Sequence, residues 1–240
     1  MKLTAVVTEP TSRRVSPALF VVALACFFFM FAGVSCNTSA AKQTLSAASS
    51  LTGGAAQSAE LNACLDSLQG VNLFSYSGIN FVFGTAPSQL TTAPAPCRAG
   101  QSTLGKSGSI SSDAISVGVQ PLALAAFVAI ALAILWGVAG LLRRTQTRIH
   151  FSTLAGLGLI ALVTLVINQT HAPSVILDKV SSVAAGQGAP FSLTDFFVVN
   201  AGIAEYLALA LAGVAFLHAT ASVLLLRSPV VDGPPARAPD

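Results

Sequence analysis

Four long apolar stretches divide the chain, and polar segments rich in Gly, Ser and Pro separate them. A transmembrane helix needs about 20 apolar residues to cross about 30 Å of hydrocarbon, and roughly 17 to 25 are tolerated. All four stretches reach this length. The pattern therefore predicts transmembrane helices at 17–35, 117–142, 151–168 and 193–227.

The segments between these helices predict a cap on one side of the membrane. Within 36–116, SAELNACLDSLQG predicts a short helix, and VNLFSYSGINFVFG predicts two short strands around Ser77-Gly78, because aromatic and smaller residues alternate. The predicted fold class is an all-α membrane protein, a four-helix transmembrane bundle with a small extracytoplasmic α+β cap. The remaining segments are a cytoplasmic tail at 1–16, a cytoplasmic loop at 143–150, an extracytoplasmic loop at 169–192 and a disordered cytoplasmic tail at 228–240.

The second outer loop contains the segment SVILDKVSSVAA. If this segment is helical, Ile176, Val180 and Val183 form one apolar side. We expect such a helix to lie flat on the outer leaflet.

Composition supports lipid rather than water as the main solvent. The chain is 53% hydrophobic and 9% charged, whereas soluble domains carry about 25% charged residues. The formal net charge of +3 and the absence of a basic patch indicate no nucleic-acid partner. The predicted partners are the lipid bilayer and another membrane protein or a second copy of the chain.

The positions of Lys and Arg predict the orientation, since these residues concentrate in cytoplasmic segments. Four of the 12 Lys and Arg residues lie in two segments, one between the first and second predicted helices and one between the third and fourth. The others flank the opposite ends of the predicted helices: Lys2, Arg13, Arg14, Arg143, Arg144, Arg148, Arg227 and Arg237. Both termini are therefore predicted to be cytoplasmic, in the cell membrane.

The first apolar stretch has a second interpretation. A basic start, an apolar core and the small residues Gly33 and Ser35 also describe a secretory signal peptide. Cys36 is then a possible lipidation site, although Gly33 stands where bacterial lipoprotein signals favour Leu. We favour an uncleaved anchor, and 36–116 is outside the cytoplasm under either interpretation.

Four cysteines are present, and three of them follow the first stretch. Disulfides persist on the oxidising side of a membrane, and a bridge between Cys64 and Cys97 would stabilise a cap with little core. The alternatives are a different partner involving Cys36, or three reduced thiols. Cys26 lies inside the first apolar stretch as a packing residue. The spacings fit no zinc site, and neither a metal nor a cofactor is predicted.

The segment GQSTLGKS, at 100–107, matches the phosphate-binding loop pattern letter for letter. No hydrophobic strand enters it and no strong helix leaves it, so the site lacks the backbone donors that hold phosphates. We therefore expect no nucleotide binding.

Glu205 and His218 are the intramembrane polar candidates, because ionisable groups are costly in hydrocarbon. At 1.5 Å per residue, they lie about 33 Å and about 13 Å from Arg227, so Glu205 is expected at the outer interface and His218 inside. Thirteen residues correspond to about 220° around a helix, so the two do not share a face. The simpler interpretation is a Glu at the water boundary and a neutral His bonded to a neighbouring helix; the other is a proton or ion pathway.

Small residues four apart form a stripe on the second predicted helix, and alanines give the fourth a similar surface. Close backbone approach supplies much of helix packing in lipid, so these two helices are expected to pack within the bundle. The helix-packing candidates are Ala125, Ala129, Ala133 and Gly137.

The segments FFFMFAGVSC and YSGINFVFG, with Ser35, Cys36, Ser77, Gly78 and Gly84, resemble a pattern in uncharacterised multi-span proteins of actinobacterial type. In those proteins an aromatic first span runs into a Ser-Cys pair, and a Ser-Gly segment follows in the outer loop. The resemblance covers the first third of the chain. It implies a bacterial cell-membrane location and no activity.

The sequence contains no recognisable set of catalytic residues, so the chain is expected not to be an enzyme. The favoured hypothesis is a non-enzymatic accessory or scaffold subunit. The alternative is a small transporter or channel that uses His218 or Glu205.

Overall fold

The computed structural model describes residues 12–52, 55–89, 94–97, 112–143, 148–186 and 196–225. The chain is mostly helical and contains one small four-stranded sheet. The helices are α1 (Ser12–Cys26), α2 (Thr38–Thr52), α3 (Ala55–Ser67), α4 (Gly78–Phe83), α5 (Pro121–Arg143), α6 (Arg148–Gly186) and α7 (Ile203–Leu225). The strands are β1 (Met30–Cys36), β2 (Asn72–Ser77), β3 (Ser88–Gln89) and β4 (Phe197–Ala201), and a 3₁₀ turn covers Ser112–Ile115.

Four helices form a ring around a shared core. α6 packs between α5 and α7, and α1 closes the ring on the other side. The second and fourth predicted spans, now α5 and α7, therefore lie at opposite corners of the ring and pack through α1 and α6. Small and aromatic side chains fill the centre, among them Phe20, Ala133, Leu165 and Ala212, all with no exposed surface.

Three of these helices, rather than the four predicted, are long and apolar enough to cross a membrane: Pro121–Leu142, Arg148–Val183 and Ile203–Leu225. Their lengths and composition suggest a membrane protein. The remaining bundle helix, α1, has 15 residues, and its apolar part is shorter still.

The predicted first helix at 17–35 is wrong in its second half. α1 ends at Cys26, the chain turns through Phe27 to Phe29, and β1 begins at Met30. Aromatic residues have only moderate helix propensity and suit buried strands, and a short apolar run does not distinguish the two structures. β1 pairs with a strand along each of its edges, and Phe31 to Ser35 are all buried, so side chains on both faces of β1 are covered.

The predicted helix at 193–227 is also too long at its start. β4 pairs antiparallel with β1, with Ala32 opposite Ala201 and Cys36 opposite Phe197. α7 begins only at Ile203, after Gly202 donates its N–H to the Phe31 carbonyl. The sheet order β3-β2-β1-β4 thus joins the end of α1 to the start of α7.

The third predicted helix at 151–168 continues where a loop was expected at 169–192. α6 has 39 residues, about 58 Å, and includes Pro173. Its C-terminal half packs on the protein: Ile176 and Val180 are buried, and Val183 packs on the core. The apolar side predicted for this segment exists, but it packs within the protein rather than lying flat on lipid.

The predicted hairpin across Ser77-Gly78 is half strand and half helix. Asn72–Ser77 is β2, whereas Gly78–Phe83 is α4. The side chains of Ser77 and Asn80 form a capping box, and Gly84 ends the helix with a φ of 66°. This pairing satisfies the backbone groups at the first turn, which explains why the strand stops at Ser77.

Candidate functional site

The α4 junction, residues 77–84, is where the bundle, the sheet and the start of α5 meet. Ile79 N donates to the Phe27 carbonyl at 2.9 Å, which ties α4 to the end of α1. Gln120 N donates to the Phe81 carbonyl at 2.7 Å, which ties it to α5. Added Cβ atoms at Gly78 and Gly84 would lie 2.8 Å from other residues, so both positions require glycine.

The Ser-Cys and Ser-Gly segments singled out in the sequence lie in this junction and in the adjacent strand. Ser35 Oγ accepts a hydrogen bond from Asn200 Nδ2 at 3.0 Å, which joins β1 to β4. Ser77 caps α4, and Gly78 and Gly84 permit its close packing. Their geometry is that of a structural joint.

Glu205 pairs with Asn168 between α6 and α7. Asn168 Nδ2 donates to Glu205 Oε1 at 3.4 Å, and the two side chains are 2% and 3% exposed. Glu205 lies in the first turn of α7, so its placement at the outer end of the helix agrees with the spacing from Arg227. The Glu205 side chain turns into the bundle rather than towards the protein surface.

His218 pairs with a different helix. His218 Nδ1 lies 2.6 Å from Ser16 Oγ on α1, and Ser222 Oγ donates to the His218 carbonyl at 2.9 Å. Glu205 thus faces α6 and His218 faces α1, as expected for residues that do not share a face. The structure does not bring the two ionisable groups together.

His150 forms a third buried polar contact, which the sequence reading did not single out. Its ring stacks on Trp136 with centroids 6.0 Å apart and lies over Gly140, where an added Cβ would be 2.2 Å from the imidazole. The sequence signal for this contact is Gly140, one turn after Trp136, together with His150 at the start of the next helix. The contact joins the ends of α5 and α6.

The cysteines of the cap occupy two different environments. Cys64 on α3 and Cys97 form a disulfide with an S–S distance of 2.01 Å, the pair favoured from the sequence. Cys36 is a free thiol at the end of β1, and burial raises its pKa. Cys26 is free and buried in the core.

The small-residue stripe of α5 faces the bundle. Ala129, Ala133 and Gly137 are buried, and Ala125 is half-buried. An added Cβ at Gly137 would lie 2.7 Å from Pro17 Cγ, so this glycine allows α1 to approach α5.

Some predictions fall on other parts of the chain. The phosphate-loop match at 100–107, the tail at 228–240 and residues 1–11 of the tail at 1–16 lie outside the described residues. Residues 12–16 of that predicted tail are the first turn of α1. Within the described ranges, no group of three or more His, Cys, Asp or Glu side chains could hold a metal ion.

The fold and these contacts define a helical bundle with three helices suited to membrane spans and a sheet at one end. Comparison with protein-family models, with curated proteins and with solved structures found no match.

Proposed function

We propose that this chain is a multi-pass protein of a bacterial cell membrane that acts as a non-enzymatic accessory or scaffold subunit. Its termini are cytoplasmic and its cap is outside, because Lys and Arg concentrate at the opposite ends of the spans. The partner is another membrane protein or a second copy of the chain.

The observation that carries this proposal is a helical hairpin, α2 and α3, fixed at its base. Asn37 N donates to the Phe196 carbonyl at 2.7 Å beside β4, directly before α2 begins. Lys42 of α2 forms an ion pair with Asp66 of α3, and the Cys64–Cys97 disulfide joins the end of α3 to Cys97. The hairpin follows β1, which is bonded on both sides, so its base cannot swing freely relative to the bundle.

Such an element presents a surface at a defined height above the membrane, which suits a docking or scaffold role. The buried polar side chains of the described helices are used in separate contacts between helices, not in one shared site. This arrangement supports a packing role for them and favours a non-enzymatic chain.

The proposal includes retention of α1 in the mature protein. Cleavage before Cys36 would cut β1, whose residues from Ala32 onward pair with β4, and would remove one corner of the bundle. Lipidation of Cys36 at a new N-terminus would require that cut. We therefore expect the uncleaved anchor, and an intact mass that includes residues 12–36.

The test is a photo-cross-linking amino acid at Leu61, which is exposed on α3, followed by purification from native membranes in mild detergent. We expect a single stoichiometric adduct at Leu61. The matched control at Leu132, exposed on the middle of α5, should give lipid adducts only. A chain that purifies alone, with no adduct at Leu61, would contradict the scaffold proposal.

A second candidate function, a small transporter or channel, is favoured by the buried carboxyl of Glu205 beside Asn168. A carboxyl group held within a bundle is costly unless it has a use or a good partner. His218 would be the second group on such a path. Flux into liposomes that is lost in a Glu205→Ala, His218→Ala double variant would support this function, and intact flux would remove the mechanism.

A further inference from the structure

We propose that the turn of Phe27 to Phe29 and the first residue of β1 are embedded among the acyl chains of the outer leaflet. The chain then completes its first crossing as a helix followed by a strand. This inference rests on the proposed membrane location and outward cap.

Helix lengths give the first argument. α1, with 15 residues, is about 22 Å long, whereas the 22- and 23-residue spans of α5 and α7 are about 33 Å and 34 Å. The hydrocarbon core is about 30 Å thick, so α5 and α7 match it and α1 falls about 8 Å short.

Contacts between helices show that the shortfall is at the outer end. Near the inner end, Pro17 of α1 lies against Gly137, and Ser16 meets His218. The end of α1 meets α5 at Phe127, whose ring centroid is 5.5 Å from that of Phe27. Phe127 lies six residues after Pro121, so the turn lies about 9 Å below the outer end of α5.

β1 then spans the remaining distance from the turn to the outer boundary of the hydrocarbon. Phe31 accepts the N–H of Gly202, which directly precedes α7, so Phe31 is level with the outer end of that span. Phe27 to Phe31 therefore rises from inside the hydrocarbon to its boundary.

The side chains at this depth suit lipid. Phe28 and Phe29 are 67% and 64% exposed. α4, α5 and α7 also expose large apolar side chains, among them Phe83, Leu124 and Leu207. A water-facing turn would gain nothing from two exposed phenylalanines, whereas acyl chains cover them favourably.

Several backbone groups at this depth have partners within the protein. Non-helical backbone is tolerated inside a membrane only where its polar groups are satisfied within the protein. The N–H groups of Phe27, Phe28 and Phe29 donate to carbonyls of α1, and the Phe27 carbonyl accepts Ile79 N. From Ala32 onward, β1 pairs with strands on both sides.

The experiment is fluorescence quenching in liposomes that contain acyl-brominated lipids. Trp136, the only tryptophan, is first replaced by Phe, and Phe29→Trp or Phe28→Trp then supplies the reporter. Leu132→Trp on the middle of α5 is the membrane control, and Leu61→Trp on α3 is the water control. Two reporters at exposed aromatic sites guard against a variant that fails to fold.

We expect brominated lipid to quench Phe29→Trp and Phe28→Trp as strongly as Leu132→Trp, and iodide added outside to quench only Leu61→Trp. Quenching of both turn reporters by iodide and not by lipid, with Leu132→Trp quenched by lipid, would overturn the inference and leave the membrane spans intact. If lipid fails to quench even Leu132→Trp, the membrane proposal itself fails.

Discussion

Three contacts of buried polar side chains in this bundle cross helix boundaries, and each joins a different pair of helices. Asn168 and Glu205 join α6 to α7, Ser16 and His218 join α1 to α7, and His150 packs on α5. Hydrogen bonds of this kind between membrane helices are modest individually. Their placement at separate interfaces indicates that they select one arrangement of the ring.

The pair of Glu205 and Asn168 should behave as a coupled unit. In a double-mutant cycle of Glu205→Ala and Asn168→Ala, we expect a coupling free energy of about 0.6 to 1.7 kcal/mol, the range of such pairs in membranes. The measurement is unfolding in mixed micelles. The control is Glu60→Ala, at an exposed position of α3, whose change in free energy of unfolding should simply add to that of Asn168→Ala. If the changes caused by Glu205→Ala and Asn168→Ala are also additive, the contact between the two side chains is contradicted.

Gly84 should tolerate a side chain less well than Gly70. Both have positive φ, at 66° and 73°, so alanine is strained at either by about 1–2 kcal/mol. Only at Gly84 would the Cβ also meet another residue, 2.8 Å from the Gly118 carbonyl carbon. Gly84→Ala should lose about 1–3 kcal/mol more than Gly70→Ala in thermal unfolding. Equal losses of stability in the two variants would show that the residues around Gly84 are not closely packed.

Tyr76 gives the cap a dependence on alkaline pH. Its hydroxyl donates to the Ile115 carbonyl at 2.8 Å, and burial raises its pKa. The unfolded chain therefore ionises first as the pH rises past about 10, so the stabilisation is complete below that pH and is lost above it.

At neutral pH, Tyr76→Phe should lower the free energy of unfolding by about 1–3 kcal/mol, because a buried carbonyl loses its donor. When unfolding is measured as a function of pH, the difference in free energy of unfolding between variant and wild type should become smaller above pH 10. A constant gap from neutral to strongly alkaline pH would contradict the buried hydrogen bond.

At the element scale, the contact between α1 and α5 depends on a missing side chain. Gly137→Ala would bring a Cβ 2.7 Å from Pro17 Cγ, whereas Gly156, on α6, has nothing within 4 Å. We expect Gly137→Ala to destabilise by about 1–3 kcal/mol and Gly156→Ala to stabilise by about 0.5–1 kcal/mol through helix propensity. Thermal unfolding in detergent measures both, and stabilisation by both would exclude close packing of α1 on α5.

Sequence patterns predicted α5 closely, because a charge-free apolar run ending at Arg143-Arg144 has few alternatives. They failed at β1 and β4, where the same apolar character belongs to strands. Hydropathy reports burial and not backbone conformation, so FFFMFAGV and FFVVN extended the neighbouring helices in error. The pairing of β1 with β4, far apart in sequence, is what decides between helix and strand.

The extent of α6 shows a related limit. The predicted helix ended at 168, yet α6 continues to Gly186 because its C-terminal half buries Ile176 and Val180 in the protein. The sequence showed the apolar spacing of this segment, but it did not show which surface of the protein the apolar side packs against. Similarly, Glu205 and His218 were identifiable as buried polar groups, whereas Asn168 and Ser16, their partners, were not distinguishable from other polar residues.

At the scale of the whole molecule, three long apolar helices and the short helix α1 support a small sheet and a helical hairpin. The shared elements are β1 and β4, because each directly adjoins a bundle helix and lies in the sheet. A change in the sheet should therefore alter the outer half of the bundle. In the proposed scaffold role, this coupling would hold the partner at one height.

The most direct test of the account is the side of the membrane on which the cap lies. A short epitope inserted at Gly70, next to the exposed end of α3, is compared in intact and permeabilised cells with the same epitope in the link between α5 and α6. The account predicts that antibody binds the Gly70 epitope in intact cells and the link epitope only after permeabilisation. The opposite pattern, with the Gly70 epitope hidden until permeabilisation, would contradict it.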